Sequence, residues 1–93
     1  MKKKHIIMNN EDNCATSLTE IPENEKIEIS INKTIQINQK IPFGHKFALE
    51  VIKKGELVKK YGQIIGIATE DIKPGDWIHV HNLKSHYLEG ITL

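Results

Sequence analysis

The sequence predicts a mostly β protein, a single small domain of short strands and hairpins. Three observations carry this. Apolar and polar residues alternate through residues 26–38, glycines and prolines punctuate the chain at short intervals, and one turn pattern recurs along it. At 93 residues there is room for one domain. A chain of that size buries about 60–65% of the surface it exposes when unfolded. That leaves little depth for a self-contained cleft, so a module is expected more readily than a complete enzyme.

The opening "MKKKHIIMNNEDN" is basic, and its apolar run is three residues long. Such a run is far too short for a signal-peptide core or a membrane span, and a cytoplasmic protein is expected. Residues 1–8 are assigned to an N-terminal strand or tail. Cys14 is the single cysteine, so neither an internal disulfide nor a cysteine-built zinc site is available. It reads as a small apolar strand residue.

In "KIEISINKTIQIN" Ile27, Ile29 and Ile31 share one parity while Glu28 and Ser30 take the other, and Ile35 and Ile37 resume the alternation. This predicts a hairpin turning near Asn32 and Lys33. "GHKFALEVI" (44–52) is the one stretch that could start a helix. "LVKKYGQIIGIAT" and "DWIHVHNL" then return to strand composition, punctuated by Gly62, Gly66 and Gly75.

The recurring pattern is seen in "TEIPENEKI" (19–27), "EVIKKGELV" (50–58) and "EDIKPGDWI" (70–78), where Ile21, Ile52 and Ile72 align. Each copy reads as a tight turn that launches a strand. Asn24, Gly55 and Gly75 fall at the position needing positive φ, and Pro22 and Pro74 pre-set φ beside it.

Charge argues against nucleic acid as a partner. Thirteen basic and twelve acidic residues give a net charge of +1, and the lysines are scattered without interleaved aromatics. The candidate chemistry lies in the histidines. On a strand His79 and His81 would face one side, with Val80 and Ile78 toward the core, so both rings could reach one metal ion or anion. His45 would have to join them from another segment, with Glu50 or Asp76 adding a carboxylate. The bland alternative is a solvated outer face. Asn82 falls on the inner parity and is expected to cap a turn. His5 and His86 read as incidental, and Gly62 and Gly66 as positions of close backbone approach or bulging.

Gly44-His45-Lys46 followed by Ala48-Leu49, Tyr61-Gly62 with Ile65-Gly66, His79-x-His81-Asn82 and the N-terminal Asp12-Asn13-Cys14-Ala15 occur in an order that resembles the SAF-type (β-clip) domain of the altronate and galactarate dehydratase family. In that family the domain also occurs as a separate small subunit, as in sulfolactate sulfo-lyase. The resemblance covers residues 9–83 and implies a β-clip domain there, with residues 84–93 as a C-terminal tail or edge strand. Cys14 stands where the family usually has valine, a packing change expected to be silent.

What the resemblance implies is a lyase system. Water, or sulfite in the sulfo-lyase branch, is eliminated from a sugar acid or related 2-hydroxy acid, with the metal-dependent chemistry held mainly by a large partner. This chain would then be the small subunit that completes or covers that site, not catalytic alone. His45, Lys46 and Asn82 would serve as substrate or interface residues. His79, His81 and His45 would be candidate ligands for a divalent iron, manganese or zinc, an ion more readily held by the large subunit. The competing expectation is an autonomous module binding a metal or small anion, or pairing with itself through a strand edge.

Overall fold

The computed structural model describes residues 4–79 and 81–85. They form nine strands: β1 His5–Ile6, β2 Cys14–Ser17, β3 Lys26–Ser30, β4 Lys33–Gln36, β5 Lys46–Ala48, β6 Leu57–Lys60, β7 Gln63–Ala68, β8 Trp77–Ile78 and β9 Leu83–Ser85. All pairings are antiparallel, in three sheets ordered β1-β2-β5-β8, β3-β4 and β6-β7-β9. The domain is mostly β, with no helix among the described residues.

The turn pattern organises this architecture, and the structure adds a copy to it. Ile41-Pro42-Phe43-Gly44 belongs to the series: Ile21 pairs with Ile41, and Ile52 with Ile72, in isolated bridges. In all four copies the residue after the glycine or asparagine donates its N–H three residues back, from Glu25 to Pro22 O (3.3 Å), His45 to Pro42 O (3.1 Å), Glu56 to Lys53 O (2.8 Å) and Asp76 to Lys73 O (3.0 Å). Asn24, Gly44, Gly55 and Gly75 have φ of 73°, 82°, 90° and 89°. Positive φ at the third turn position alone defines a type II turn, for which glycine and asparagine are suited.

With the fourth copy in place the chain is an internal duplication. From β2 onward the elements recur 31 residues later, Ile21 with Ile52, Ile41 with Ile72, and the β3–β4 hairpin with β6–β7. The hydrogen bonds recur too: Asn24 N to Ile37 O (2.7 Å) matches Gly55 N to Ala68 O (2.8 Å), and Ile37 N to Glu25 O (2.8 Å) matches Ala68 N to Glu56 O (2.9 Å).

Each half has its own core, and the four-stranded sheet separates them. Ala15, Ile21, Ile27, Ile35, Ile37, Ile41, Phe47 and Leu49 form one cluster; Cys14, Ala48, Ile52, Val58, Ala68, Ile72 and Ile78 form the other. Strand alternation explains the split, because neighbouring residues on β2 and β5 point to opposite faces: Ala15 and Phe47 to one core, Cys14 and Ala48 to the other. Ile35 has Gly66 as its counterpart. There the core is completed by Leu83 of β9, whose Cδ1 would lie 2.6 Å from a Cβ on Gly66.

Three local expectations are corrected. "GHKFALEVI" supplies β5, because Lys46–Ala48 are held between β2 and β8 and tertiary pairing overrides the helix preference of Ala, Leu and Glu. The first hairpin turns at Ile31-Asn32, since Ser30 pairs with Lys33 across a register shift after Glu28, and Ile31 is left 91% exposed. His5 belongs to the structured domain: it is buried in β1, its ring edge-on to Phe47 at 6.1 Å.

Candidate functional site

The candidate site is built at one end of β5 and β8, where strand pairing sets Trp77 opposite Phe47. β8 stops at Ile78. His79 and His81 therefore lie beyond the strand, and the expectation of a shared strand face is corrected. The cause is Asn82, 3% exposed, which closes a tight turn. Its N–H donates to His79 O (3.0 Å), its Oδ1 accepts from His79 N (2.9 Å) and its Nδ2 donates to Trp77 O (2.8 Å). These bonds use the Asn82 amide on both sides, so its position is that of a cap. Val80 and His86 lie outside the described residues.

The turn brings three imidazoles around one indole. His79 stacks on Trp77 with centroids 4.8 Å apart, His81 lies at 5.7 Å and His45 at 5.6 Å, and His45 stacks on His79 at 5.3 Å. Trp77 Nε1 donates to His45 Nδ1 at 3.2 Å. A neutral His45 therefore carries its proton on Nε2, leaving that edge as a hydrogen-bond donor. Trp77, which sequence reasoning passed over, is the centre of the cluster. The available signal was its position two residues before His79.

This donor set does not fit a resident metal ion. Among the described residues no group of three His, Cys, Asp or Glu side chains is gathered for one. The His45 and His79 rings are inclined by only 27°, so their in-plane lone pairs run in nearly parallel planes, and His45 Nδ1 already accepts from Trp77. The proposed carboxylates are engaged elsewhere. Asp76 accepts from Lys73 N (2.8 Å) and Asn38 Nδ2 (2.7 Å), bracing its own turn, while Glu50 lines a separate groove.

Lys46 follows His45 but takes the other face of β5. It pairs with Thr16 and Ile78, and its ammonium lies in the field of Lys60 and Cys14. Burial, then the Lys60 charge, holds its pKa below the ordinary lysine value. Cys14, on the same face, donates to Lys59 O at 3.3 Å, and burial pushes its thiol up to about 11. Thr16 Oγ1, across from Lys46, is enclosed without a hydrogen-bond partner. Lys46 and His45 thus occupy separate environments.

Asp12 and Asn13 were legible only as part of a motif, and their work is architectural. Asp12 accepts from Tyr61 N (3.0 Å) and Gly62 N (2.8 Å), holding a turn whose two central residues have φ of 59° and 70°. Asn13 accepts from Lys59 N (2.8 Å) and donates to Leu57 O (2.9 Å). Together they fasten the β6–β7 hairpin to β2.

A duplicated β domain with an indole–imidazole cluster at one end of its central sheet defines a small β module. The chain belongs to the altronate/galactarate dehydratase SAF domain family, whose profile matches residues 3–86. It is 37% identical over 84 residues to the altronate dehydratase of Bacillus subtilis (strain 168) and 40% identical over 75 residues to that of Escherichia coli (strain K12). These alignments cover 90% and 81% of this chain but 17% and 15% of those enzymes, so the chain spans about one-sixth of their length. It is also 39% identical over 56 residues to the (2R)-sulfolactate sulfo-lyase subunit alpha of Chromohalobacter salexigens, covering 58% of this chain and 60% of that subunit.

Proposed function

We propose that this chain is the SAF-domain small subunit of a sugar-acid dehydratase of the altronate/galactarate type. It completes or covers the active site of a separate, large, metal-dependent subunit that eliminates water from a 2-hydroxy acid. The observation that carries this reading is the Trp77 cluster, hydrogen-bonding rings gathered at one end of the domain, where among the described residues no group of three metal-ligating side chains is assembled.

Elimination beside a carboxylate needs a base for the α-proton, an electrophile for the enolate and an acid for the leaving hydroxyl. A divalent iron, manganese or zinc held by the large subunit would supply the electrophile. This chain contributes the Nε2 edge of His45, oriented by Trp77, to donate to a substrate carboxylate or hydroxyl. His79 and His81 add rings able to hold a proton at the same edge. Lys46, on the other face, serves the interface instead of the same substrate group.

The test is reconstitution with a large lyase chain, following 2-keto acid formed from altronate and galactarate. Activity should require this chain and fall by about 10²-fold or more in the His79→Ala, His81→Ala double variant if the rings assist proton transfer. Undiminished turnover by the large chain alone would reject the reading.

A second reading, the small subunit of a sulfolactate sulfo-lyase, is supported by the 39% identity to the subunit alpha relative, of which this chain covers 60%. Sulfite release from (2R)-sulfolactate in the same reconstitution selects it. Stoichiometric binding of a divalent metal by the isolated chain, lost in the double variant, selects the autonomous module.

A further inference from the structure

The 31-residue repeat brings out two places where the halves differ in kind. On the first core's face of the central sheet stands Ala15, 1% exposed, and its counterpart on the second core's face is Lys46. In the hairpins, Ile29 follows the core residue Ile27 by two positions and packs on the first core, whereas Lys60 follows Val58 by two positions. Two apolar contacts of one half are thus two ammonium groups in the other. Alternation keeps Lys46 on the face of Cys14 and Ala48, both members of the second core.

Among the described residues no carboxylate forms an ion pair with either lysine, although each ammonium lies close enough to the other for the Lys60 charge to lower the Lys46 pKa. Asp12, whose charge reaches the neighbouring Cys14, has its two oxygens on Tyr61 N and Gly62 N. Lys60 Nζ lies 5.0 Å from the Tyr61 ring centroid, a contact that holds the side chain without neutralising it. Across the strand pair from Lys46, Thr16 Oγ1 is enclosed and lacks a hydrogen-bond partner. An unsatisfied hydroxyl costs free energy, and so do two like charges on a partly buried face. Two independent observations, surplus positive charge and an orphan hydroxyl, therefore mark the same spot.

We propose that Lys46, Lys60 and Thr16 form a binding site for a small carboxylate anion. One negative charge between the ammonium groups turns their repulsion into two charge-assisted hydrogen bonds, and the second oxygen accepts from the Thr16 hydroxyl. Three donors thus meet the two oxygens of a carboxylate. Because Oγ1 is closed off from water, engaging it requires the neighbouring Lys46 side chain to swing, which the flexible four-carbon stem of lysine allows. The site lies across β5 from His45 and Trp77, so it is separate from the indole–imidazole cluster and does not rest on the lyase reading.

The probe is sodium acetate, titrated into the full chain against sodium chloride at matched ionic strength and followed by the lysine side-chain and threonine methyl NMR signals. The Lys46 and Lys60 Cε signals and the Thr16 methyl should move together to one saturable end point, and Lys46 should titrate at higher pH with acetate present. Lys46→Met and Lys60→Met, which give these positions the apolar character of Ala15 and Ile29, should each weaken acetate binding about tenfold, the scale of one hydrogen bond to a charged group. The double variant should abolish the response. Lys60→Glu sets a carboxylate of the chain's own beside Lys46, so it should raise the Lys46 titration and abolish acetate binding. It decides the matter should a methionine variant fail to fold. Thr16→Val, which deletes the orphan hydroxyl, should weaken acetate binding while the urea midpoint holds or rises. The proposal is overturned if acetate moves these signals no more than chloride does, if the movement never saturates, or if it survives in the double variant or in Lys60→Glu. None of these readouts depends on lyase activity.

Discussion

Asp12 shows how much one side chain can hold. It is 8% exposed and accepts two backbone N–H groups from the Tyr61-Gly62 turn, including one from a tyrosine kept at positive φ. Asp12→Ala leaves both donors without that carboxylate, and urea unfolding should show a loss of about 3 kcal/mol. Cys14 makes a prediction in pH. Its folded pKa of about 11 lies above its ordinary value, so its contribution is complete below about pH 9 and declines as the pH rises toward 11. Two units correspond to about 2–3 kcal/mol. Lys46 acts in the opposite sense. Its folded pKa is lowered, so the buried charge costs stability at neutral pH and the cost is relieved as pH rises through that value toward the unfolded one. In Cys14→Val the alkaline decline should disappear and a slight gain remain, measured as denaturation midpoints between pH 8 and 11.

Among the elements, β9 depends on an absent side chain. A Cβ on Gly66 would lie 2.5 Å from Lys84 O and 2.6 Å from Leu83 Cδ1. Gly66→Ala should therefore loosen β9, costing about 1–3 kcal/mol as an overpacking substitution. Hydrogen exchange should quicken at Thr69 and Lys84 while the Ile52 and Ile72 amides stay protected. Sequence patterning revealed these elements unevenly. Alternation located the first hairpin, and turn chemistry placed Asn24, Gly55 and Gly75 at positive φ, because both depend on neighbours in the chain. The fourth turn is masked in the sequence because His45 follows Gly44 where the other three copies carry an acid, Glu25, Glu56 or Asp76. The end of β8 escaped for a different reason: it is set by Asn82 bonding back to Trp77 and His79, and alternation carries no information about such a cap. Clustering of His45 with His79 depends on β5 pairing with β8, a contact far apart in sequence.

At the scale of the molecule, the central sheet couples two cores. Since β2 and β5 each send alternate residues to both, neither half retains a complete wall without the other. Ile21→Ala and Ile52→Ala, at equivalent fully buried positions, should each cost about 2–5 kcal/mol. Both should shift one common transition, with circular dichroism and fluorescence curves superimposing. Two separated transitions would show the halves to be independent. The duplication also accounts for the division of roles. Core positions such as Ile21 and Ile52, Ile27 and Val58, and Ile41 and Ile72 stay apolar, Ile35 gives way to Gly66 backed by Leu83, and the Trp77 cluster is confined to one end.

Trp77 is the only tryptophan in the chain, and it stands among three imidazoles. An indole's emission responds to the rings packed on it, so the domain carries a built-in optical reporter at the end where this cluster sits. Emission should change when any of the three rings is engaged, making occupancy of this end visible without an added label.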